Sequence, residues 1–322
     1  MTRPALIGDI GGTNARFALM TPDTCAPREM LSLPCADYPG LVEAVCDYLE
    51  RIGLSGDGAP REACLAFACP IRGDQVSMTN NHWTFSREAV RQRLGLELFK
   101  AINDFTAQAL GVPHVADSDL VNVQHGEAIP HAARLVIGPG TGLGVAGLFP
   151  GRRAWIPLPT EGGHVTFAPT DEREQNLLRH FHNRYGRVSV ERILCGRGLL
   201  DLYLAHCSLK GAPPRYATPA EVTRAADDGD PVARDTLLRF LKILGDVCGD
   251  VALTLAARGG VTLCGGILPR LLKWLPASRF LEAFTAKGRM SAYTRAIPVQ
   301  VITAPWTGLL GAAEALHNEE VE

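Results

Sequence analysis

The sequence predicts an α/β protein of two domains, on three observations. Short apolar runs that read as strands alternate with longer stretches whose apolar residues recur at helical spacing. The length, 322 residues, suits two domains better than one. And one pattern, a strand, a Gly-rich turn with Thr, then a second strand, occurs at Ala5–Leu19 and again at Leu135–Leu148. Two such hairpins suggest two related lobes, each offering one Gly-rich turn to a shared cleft.

In chain order, strands are expected at Ala5–Asp9, Ala15–Met20, Ala63–Ala68, Leu98–Ile102, Arg134–Ile137, Gly144–Phe149, Val261–Cys264 and Ile297–Thr303. Between them, Tyr38–Arg51 carries Leu41, Val42, Val45 and Leu49 on one helical face. Ser86 is placed to cap Arg87–Leu94, and Asp171–Tyr185 is an amphipathic helix stopped by Gly186. Thr218-Pro219-Ala220-Glu221 has the form of a capping box with Pro in the first turn. Asp230-Pro231 opens a long helix through Ala257, with a stripe of Leu237, Leu241, Leu244, Val247, Val251 and Leu255. A last helix, Leu309–His317, follows the final strand.

Composition excludes several classes. With 46% hydrophobic and 20% charged residues the chain buries large cores and is not disordered. A formal net charge of -2 and scattered Lys and Arg argue against nucleic acid as a partner. The nine Cys are odd in number, form no Cys-x-x-Cys and mostly sit in apolar stretches such as those of Cys64, Cys69 and Cys264. They read as buried reduced thiols, which points to the cytoplasm. No signal peptide and no membrane span is expected.

The opening segment Gly8-Asp9-Ile10-Gly11-Gly12-Thr13 puts an acid at the mouth of a hairpin. Gly11 and Gly12 there are expected to allow positive φ and close backbone approach, and successive N–H groups of such a turn suit an anion. Asp9 would face a metal ion accompanying it; an ordinary hairpin with a turn Asp is the competing reading. Gly142-Leu143-Gly144-Val145-Ala146-Gly147 fits the dinucleotide pattern, but Pro150 and Gly151 follow where a helix should open, so Gly138–Gly142 is read as a second phosphate hairpin. No P-loop is present. Asn103-Asp104 ends an apolar strand, where active-site groups sit in α/β folds, with Asp104 the candidate base or else a helix cap. Glu161-Gly162-Gly163-His164 would present a carboxylate and an imidazole to one polyol; zinc lacks partners at ligand spacing. Glu191 is either a capping carboxylate or a sugar ligand. Cys264-Gly265-Gly266-Ile267 lets a flat ring lie against backbone or simply turns a strand into a helix.

Taken in order, Gly8–Arg16, Asn103-Asp104-Phe105-Thr106-Ala107, Gly140-Thr141-Gly142-Leu143-Gly144, Glu161-Gly162-Gly163-His164 and Gly265-Gly266-Ile267 resemble the bacterial glucokinase family. Ala68–Asp74 and Met78–Trp83 add to the likeness, which runs from about Leu6 to about Gly311. The related repressor/ORF/kinase group usually carries a Cys-rich zinc motif after its Gly-His pair, whereas Val165–Tyr185 here contains no Cys.

The resemblance implies a two-lobed actin-like (hexokinase-type) α/β fold with a central cleft. Residues 1–113 plus 305–322 would form the small lobe and 114–304 the large one. It implies transfer of the ATP γ-phosphoryl group to the 6-hydroxyl of glucose, with Asp104 as base. Asn103, Asp104, Glu161, His164 and Glu191 would bind the sugar. Gly8, Asp9, Ile10, Gly11, Gly12, Thr13, Gly138, Gly140 and Thr141 would surround the phosphates, and Gly265 and Gly266 the adenosine. Asp9 would orient Mg²⁺ through water. Sugar binding would close the lobes, and a homodimer is suggested. Two other readings stay open at this point: a kinase of another hexose or N-acetylhexosamine, and an ATP-binding regulatory module of the same fold. The Gly turns do not separate the first; the paired Glu161–His164 and Asn103–Asp104 speak against the second.

Overall fold

The computed structural model describes residues 3–21, 24–54 and 56–321. The chain forms two compact units. One takes in the residues up to Asp119, Leu148–Pro159 and those from Ala304 onward; the other takes in Leu120–Gly147 and Thr160–Thr303.

The first unit is built on β1 (Ala5–Ile10), β2 (Asn14–Thr21), β3 (Thr24–Pro34), β4 (Glu62–Phe67) and β7 (Leu98–Asn103), in the order β3-β2-β1-β4-β7. A small ribbon of β5 (Gln75–Ser77) and β6 (Thr84–Ser86) precedes β7. β1 runs antiparallel to β2 and parallel to β4, with Gly8 opposite both Phe17 and Leu65. Helices α1 (Leu41–Arg51), α2 (Arg87–Arg93) and α3 (Asp104–Gly111) complete the connections. α1 begins three residues later than its apolar periodicity suggests, because Cys35–Asp37 form a separate 3-10 turn and Gly40 takes the cap position. Ser86 caps α2 as expected, accepting from Ala89 N–H at 3.1 Å.

The second sheet joins β8 (Leu120–Gln124), β9 (Arg134–Pro139), β10 (Leu143–Pro150), β11 (Trp155–Thr160), β12 (Val261–Leu263) and β13 (Val299–Ile302) in the order β11-β10-β9-β12-β13-β8. Its first five strands repeat the connectivity of the first sheet, so the internal repeat seen in two hairpins extends to the whole topology. Between β11 and β12 lie α4 (Glu172–Tyr185), α5 (Gly196–Lys210), α6 (Pro219–Asp227) and α7 (Pro231–Thr254). Between β12 and β13 lie α8 (Leu268–Leu271), α9 (Phe280–Thr285) and α10 (Ser291–Arg295), and α11 (Thr307–His317) follows β13. The Thr218–Glu221 capping box forms in full. On α7, Leu237, Leu241, Leu244 and Val247 are buried, each such side chain contributing about 1.5–3 kcal/mol. Its last turn is shorter than expected: the helix stops at Thr254, and Val251 and Leu255 are half-buried.

In the first unit α3 and α11 cross at near backbone contact. A Cβ on Gly311 would stand 1.6 Å from the Ala107 carbonyl oxygen, and one on Gly111 2.1 Å from that of Thr307. The C-terminal helix is thereby fixed against the element that carries Asp104. The eight described Cys side chains are reduced thiols, all buried but Cys46; that of Cys25 lies outside the described residues. No helix among the described residues is long and apolar enough to cross a membrane.

Candidate active site

In the first unit, β1 ends at Ile10 and the chain reverses over Gly11–Asn14, closed by Gly11 N–H donating to Asn14 O at 2.9 Å. The antiparallel register sets Asp9 opposite Arg16, and Arg16 Nη1 donates to Asp9 Oδ2 at 3.1 Å. On its other side the Asp9 carboxylate meets the start of α11: a Cβ on Gly308 would lie 3.1 Å from its Cγ. Glycine at that point admits the carboxylate to a helix N-terminus, whose dipole favours negative charge. Burial nonetheless pushes the Asp9 carboxyl above its usual range, against the Arg16 guanidinium, which draws it down.

The turn differs from expectation in how it uses its glycines. Neither Gly11 nor Gly12 takes a left-handed φ. Gly12 is required by packing instead, since a Cβ there would stand 2.7 Å from the Asn80 Cβ. Asn81 Nδ2 donates to Gly11 O at 3.2 Å, so the segment around Asn80 braces the turn from outside. Gly8 and Ile10 are buried in a strand paired on both sides, and a Cβ on Gly8 would meet the Leu65 side chain at 2.7 Å. Both are packed into the sheet that leads to the turn. The amides of Gly12 and Thr13 have no acceptor among the described residues; these two are what the turn offers to a phosphate.

Asp104 stands where β7 gives way to α3. The cap of α3 is Asn103, not Asp104: Asn103 Oδ1 accepts from Phe105 N–H at 2.9 Å and Thr106 N–H at 3.3 Å. Asn103 Nδ2 donates to Cys69 O at 3.3 Å, and the same side chain hydrogen-bonds the Asp104 carboxylate, so it is largely committed to structure. Asp104 is released from capping; its Oδ1 accepts from Phe105 N–H at 2.8 Å. Burial, and next the negative charge of Asp9, push its carboxyl up to about 6. The two acids are thus electrostatically coupled, as like charges in a poorly solvated site must be.

In the second unit, Glu161, His164 and Glu191 gather around one imidazole. His164 Nε2 lies 3.8 Å from Glu161 Oε2 and 3.8 Å from Glu191 Oε1. The Gly162-Gly163 pair makes this possible, because the turn is pressed onto β10: a Cβ on Gly163 would stand 2.2 Å from Leu143 O. Glu191 Oε2 accepts from Leu143 N–H at 2.9 Å, leaving Oε1 for the imidazole or a hydroxyl. The same carboxylate accounts for Gly142, whose Cβ would meet Glu191 Oε2 at 2.5 Å. Glu191 lies inside a 3-10 turn whose N-cap position is held by Ser189, so it is not the cap itself.

The glycines read as nucleotide contacts form a second group in this unit. Gly138 and Gly265 hold two backbones together: a Cβ on Gly138 would stand 2.5 Å from Cys264 O, and one on Gly265, at φ +87°, 2.5 Å from Pro139 O. Gly140 O accepts from Gly196 N–H at 2.9 Å, which docks the start of α5 against the turn. Thr141 and Gly266 are exposed, and open space surrounds a Cβ placed on Gly140 or Gly266. The sequence reading missed Arg16, Asn80, Gly308 and the whole of α5. Arg16 and Asn80 carried a signal, lying in the Gly8–Arg16 and Met78–Trp83 stretches that bear the resemblance, but neither was given a role.

The profile of the glucokinase family matches residues 6–319. The chain belongs to the glucokinase family. It is 67% identical over 321 residues to the glucokinase of Chromohalobacter salexigens, covering 100% of both chains, and 55% identical to that of Marinobacter nauticus, covering 98% of each. Among solved structures it is similar to a glucokinase from an Antarctic psychrotroph, with a TM-score of 0.90 at 36% identity over 99% of this chain and 100% of the other. The glucokinase of Balamuthia mandrillaris in complex with glucose, with a TM-score of 0.77 at 22% identity over 98% and 93% of the two chains, shares the fold. The fold class is therefore the two-lobed actin-like, hexokinase-type one. The enzyme is a glucokinase-family phosphotransferase, phosphorylating glucose with ATP to give glucose 6-phosphate.

Proposed function

We propose that Asp104 is the general base of this reaction. It accepts the proton of the glucose 6-hydroxyl as that oxygen bonds to the γ-phosphorus of ATP and the bond to the ADP oxygen breaks. The observation that carries the assignment is the release of Asp104 from the cap of α3 by Asn103, at a position where burial and Asp9 hold its carboxyl at about 6. A base is most effective with a pKa near the working pH. In phosphoryl transfer little covalent chemistry falls to the protein, and positioning dominates.

Glu161, His164 and Glu191 are assigned to the remaining sugar hydroxyls, together with Asn103. Acceptors that become enclosed around the sugar reject one that lacks the matching hydroxyl, because the acceptor is then left unpaired. The amides of Gly12 and Thr13 and the turn at Gly138–Thr141 are assigned to phosphate, and exposed Gly266 beside Gly265 to the adenosine. The residues also fit Mg²⁺ held by few protein ligands and its own water. Asp9 and Asp104 carry two acids against one guanidinium, and their mutual repulsion shows in the raised Asp104 carboxyl. Asp9 would orient the cation, which supplies neutralisation of the β- and γ-phosphate charge. A cytoplasmic enzyme that assembles as a homodimer completes the reading. The reduced thiols support the first, and light scattering of the purified enzyme tests the second.

The deciding experiment is Asp104→Asn. Loss of a general base costs ~10²–10⁴-fold in rate, so kcat should fall by that range while calorimetry still detects glucose binding. An undiminished kcat removes Asp104 from the chemistry.

A further inference from the structure

Met78–Trp83, the segment between β5 and β6, carries none of the residues assigned to the reaction. It is nonetheless closely built. Met78 N–H donates to Trp83 O at 3.0 Å and closes the segment into a loop. Trp83 is 1% exposed and anchors it, with Nε1 donating to Tyr38 O at 3.2 Å. Inside the loop, Asn81 Oδ1 accepts from Trp83 N–H at 2.9 Å. An amide whose oxygen faces a donor turns its nitrogen the other way, so the loop itself orients the Asn81 side chain. Its Nδ2 then donates to Gly11 O at 3.2 Å, across 70 positions of sequence.

That bond bears on the next peptide. A trans peptide is planar, with its C=O and N–H pointing in opposite directions, and the described residues contain no cis peptide bond. Holding Gly11 O toward Asn81 therefore turns Gly12 N–H away from Asn81. Gly12 N–H is one of the two amides of this turn with no acceptor among the described residues. The peptide lies between two glycines, where no Cβ restrains its rotation. A rotated peptide would aim a carbonyl oxygen where the amide now points, and an oxygen repels an anion. The turn is also tied by Gly11 N–H to Asn14 O at 2.9 Å and by Cys35 N–H to Thr13 O at 2.8 Å. Neither bond reaches the Gly11 carbonyl. Cys35 Sγ does, at 3.7 Å, and Asn81 also hydrogen-bonds that sulfur. A thiol is a weak donor, so the main hold on Gly11 O is Asn81.

We propose that Asn81 is a positioning residue for the reaction: by holding the Gly11 carbonyl it aims Gly12 N–H at a nucleotide phosphate. The proposal rests on the assignment of that amide to phosphate made above. ¹H–¹⁵N NMR of the intact enzyme tests the two separately. ADP with Mg²⁺ should shift the Gly12 amide signal of the native enzyme in a saturable way. No shift would remove the amide from the phosphate site, and the role of Asn81 with it. Given that shift, the one-bond ¹H–¹⁵N residual dipolar coupling of Gly12 in the nucleotide-free enzyme reads the direction of its N–H. Asn81→Ala should reduce this coupling and leave those of Ile7 and Phe17 unchanged. It should also weaken ADP binding about 3- to 10-fold, the worth of one neutral hydrogen bond, with the KM for glucose unchanged. Asn81→Asp keeps an acceptor for Trp83 N–H and so preserves the loop; it should lose the Gly12 coupling in the same way. A native coupling in either variant, or native ADP affinity in Asn81→Ala, overturns the proposal while leaving the phosphate assignment of Gly12 standing.

Discussion

The acids of the two units are kept in opposite conditions. In the first unit Asp104 is half-buried near Asp9, and the lost solvation and that like charge hold its carboxyl at about 6. In the second, the Glu161 side chain is 76% exposed and His164 is 56% exposed, with Glu191 less exposed than either at 29%. The difference follows the tasks assigned. A base has to want a proton, and a protein raises a carboxyl's proton affinity by removing solvent and adding like charge, which costs stability. A hydroxyl ligand needs only to be placed, and placement is supplied by the backbone. The Gly162-Gly163 turn is pressed on β10, and the Glu191 carboxylate is anchored on Leu143 N–H.

If that contrast is right, neutralising Asp104 should stabilise the fold and neutralising the second unit's acids should not. The sign follows from linkage. A carboxyl at about 6 in the fold, against 3.8 as its ordinary value, favours the folded state only while protonated. That contribution is whole below about pH 4 and is lost as the pH rises through about 6. Asp104→Asn is neutral at every pH and keeps the acceptor for Phe105 N–H. Its gain over the native enzyme should therefore reach as much as about 3 kcal/mol near pH 8 and shrink toward zero near pH 4. Urea denaturation at the two pH values measures it. Equal stabilities at the higher pH would mean that Asp104 is solvated after all.

How much of this was legible in the sequence differs between the units for physical reasons. Strands rich in apolar residues and helices with strong caps, such as Thr218–Glu221 and Asp230-Pro231, were placed within a few residues. β11 was missed because Pro157 and Pro159 interrupt it, and a strand carrying proline reads as a loop. α5 was missed because it opens with Gly196 and Gly198. Its glycines answer to tertiary packing: a Cβ on Gly198 would stand 2.4 Å from Ile193 O. The same holds at the site. Asp9 and Asp104 could be named from strand ends and resemblance. That Asn103 takes the cap, and that Gly12 yields to Asn80 rather than to a positive φ, are facts of three-dimensional neighbours far apart in sequence.

Within the second unit the contrast sharpens into a ranking. Glu191 is the least exposed of the three residues assigned to the sugar and the most fixed, so a hydrogen bond that its charged Oε1 accepts from a sugar hydroxyl should be worth about 1.5–3 kcal/mol. Glu191→Gln keeps an oxygen for Leu143 N–H and loses the charge. It should raise the KM for glucose about 10- to 100-fold with little change in kcat. A matching loss of kcat would show that the contact is made in the transition state only.

Asp9 allows the coupling in the first unit to be broken separately. Asp9→Asn removes the like charge, which is the second cause of the raised Asp104 carboxyl, and leaves burial, which is the first. Carboxyl NMR titration of the metal-free enzyme should show Asp104 titrating below its native position of about 6 yet above an ordinary aspartate. A position unchanged by the substitution would mean that Arg16 already cancels the Asp9 charge.

The smallest effect is expected at Glu161. Its side chain is mostly in water, with His164 Nε2 3.8 Å away. Contacts of exposed charges are worth about 0–1 kcal/mol, since solvent screens them and the side chain must be ordered to make them. Glu161→Gln should thus raise the KM for glucose no more than about five-fold and leave the urea midpoint where it was. An effect as large as that of Glu191→Gln would show that sugar binding itself buries Glu161. The exposure of this ligand in the free enzyme would then describe a site not yet organised around its substrate.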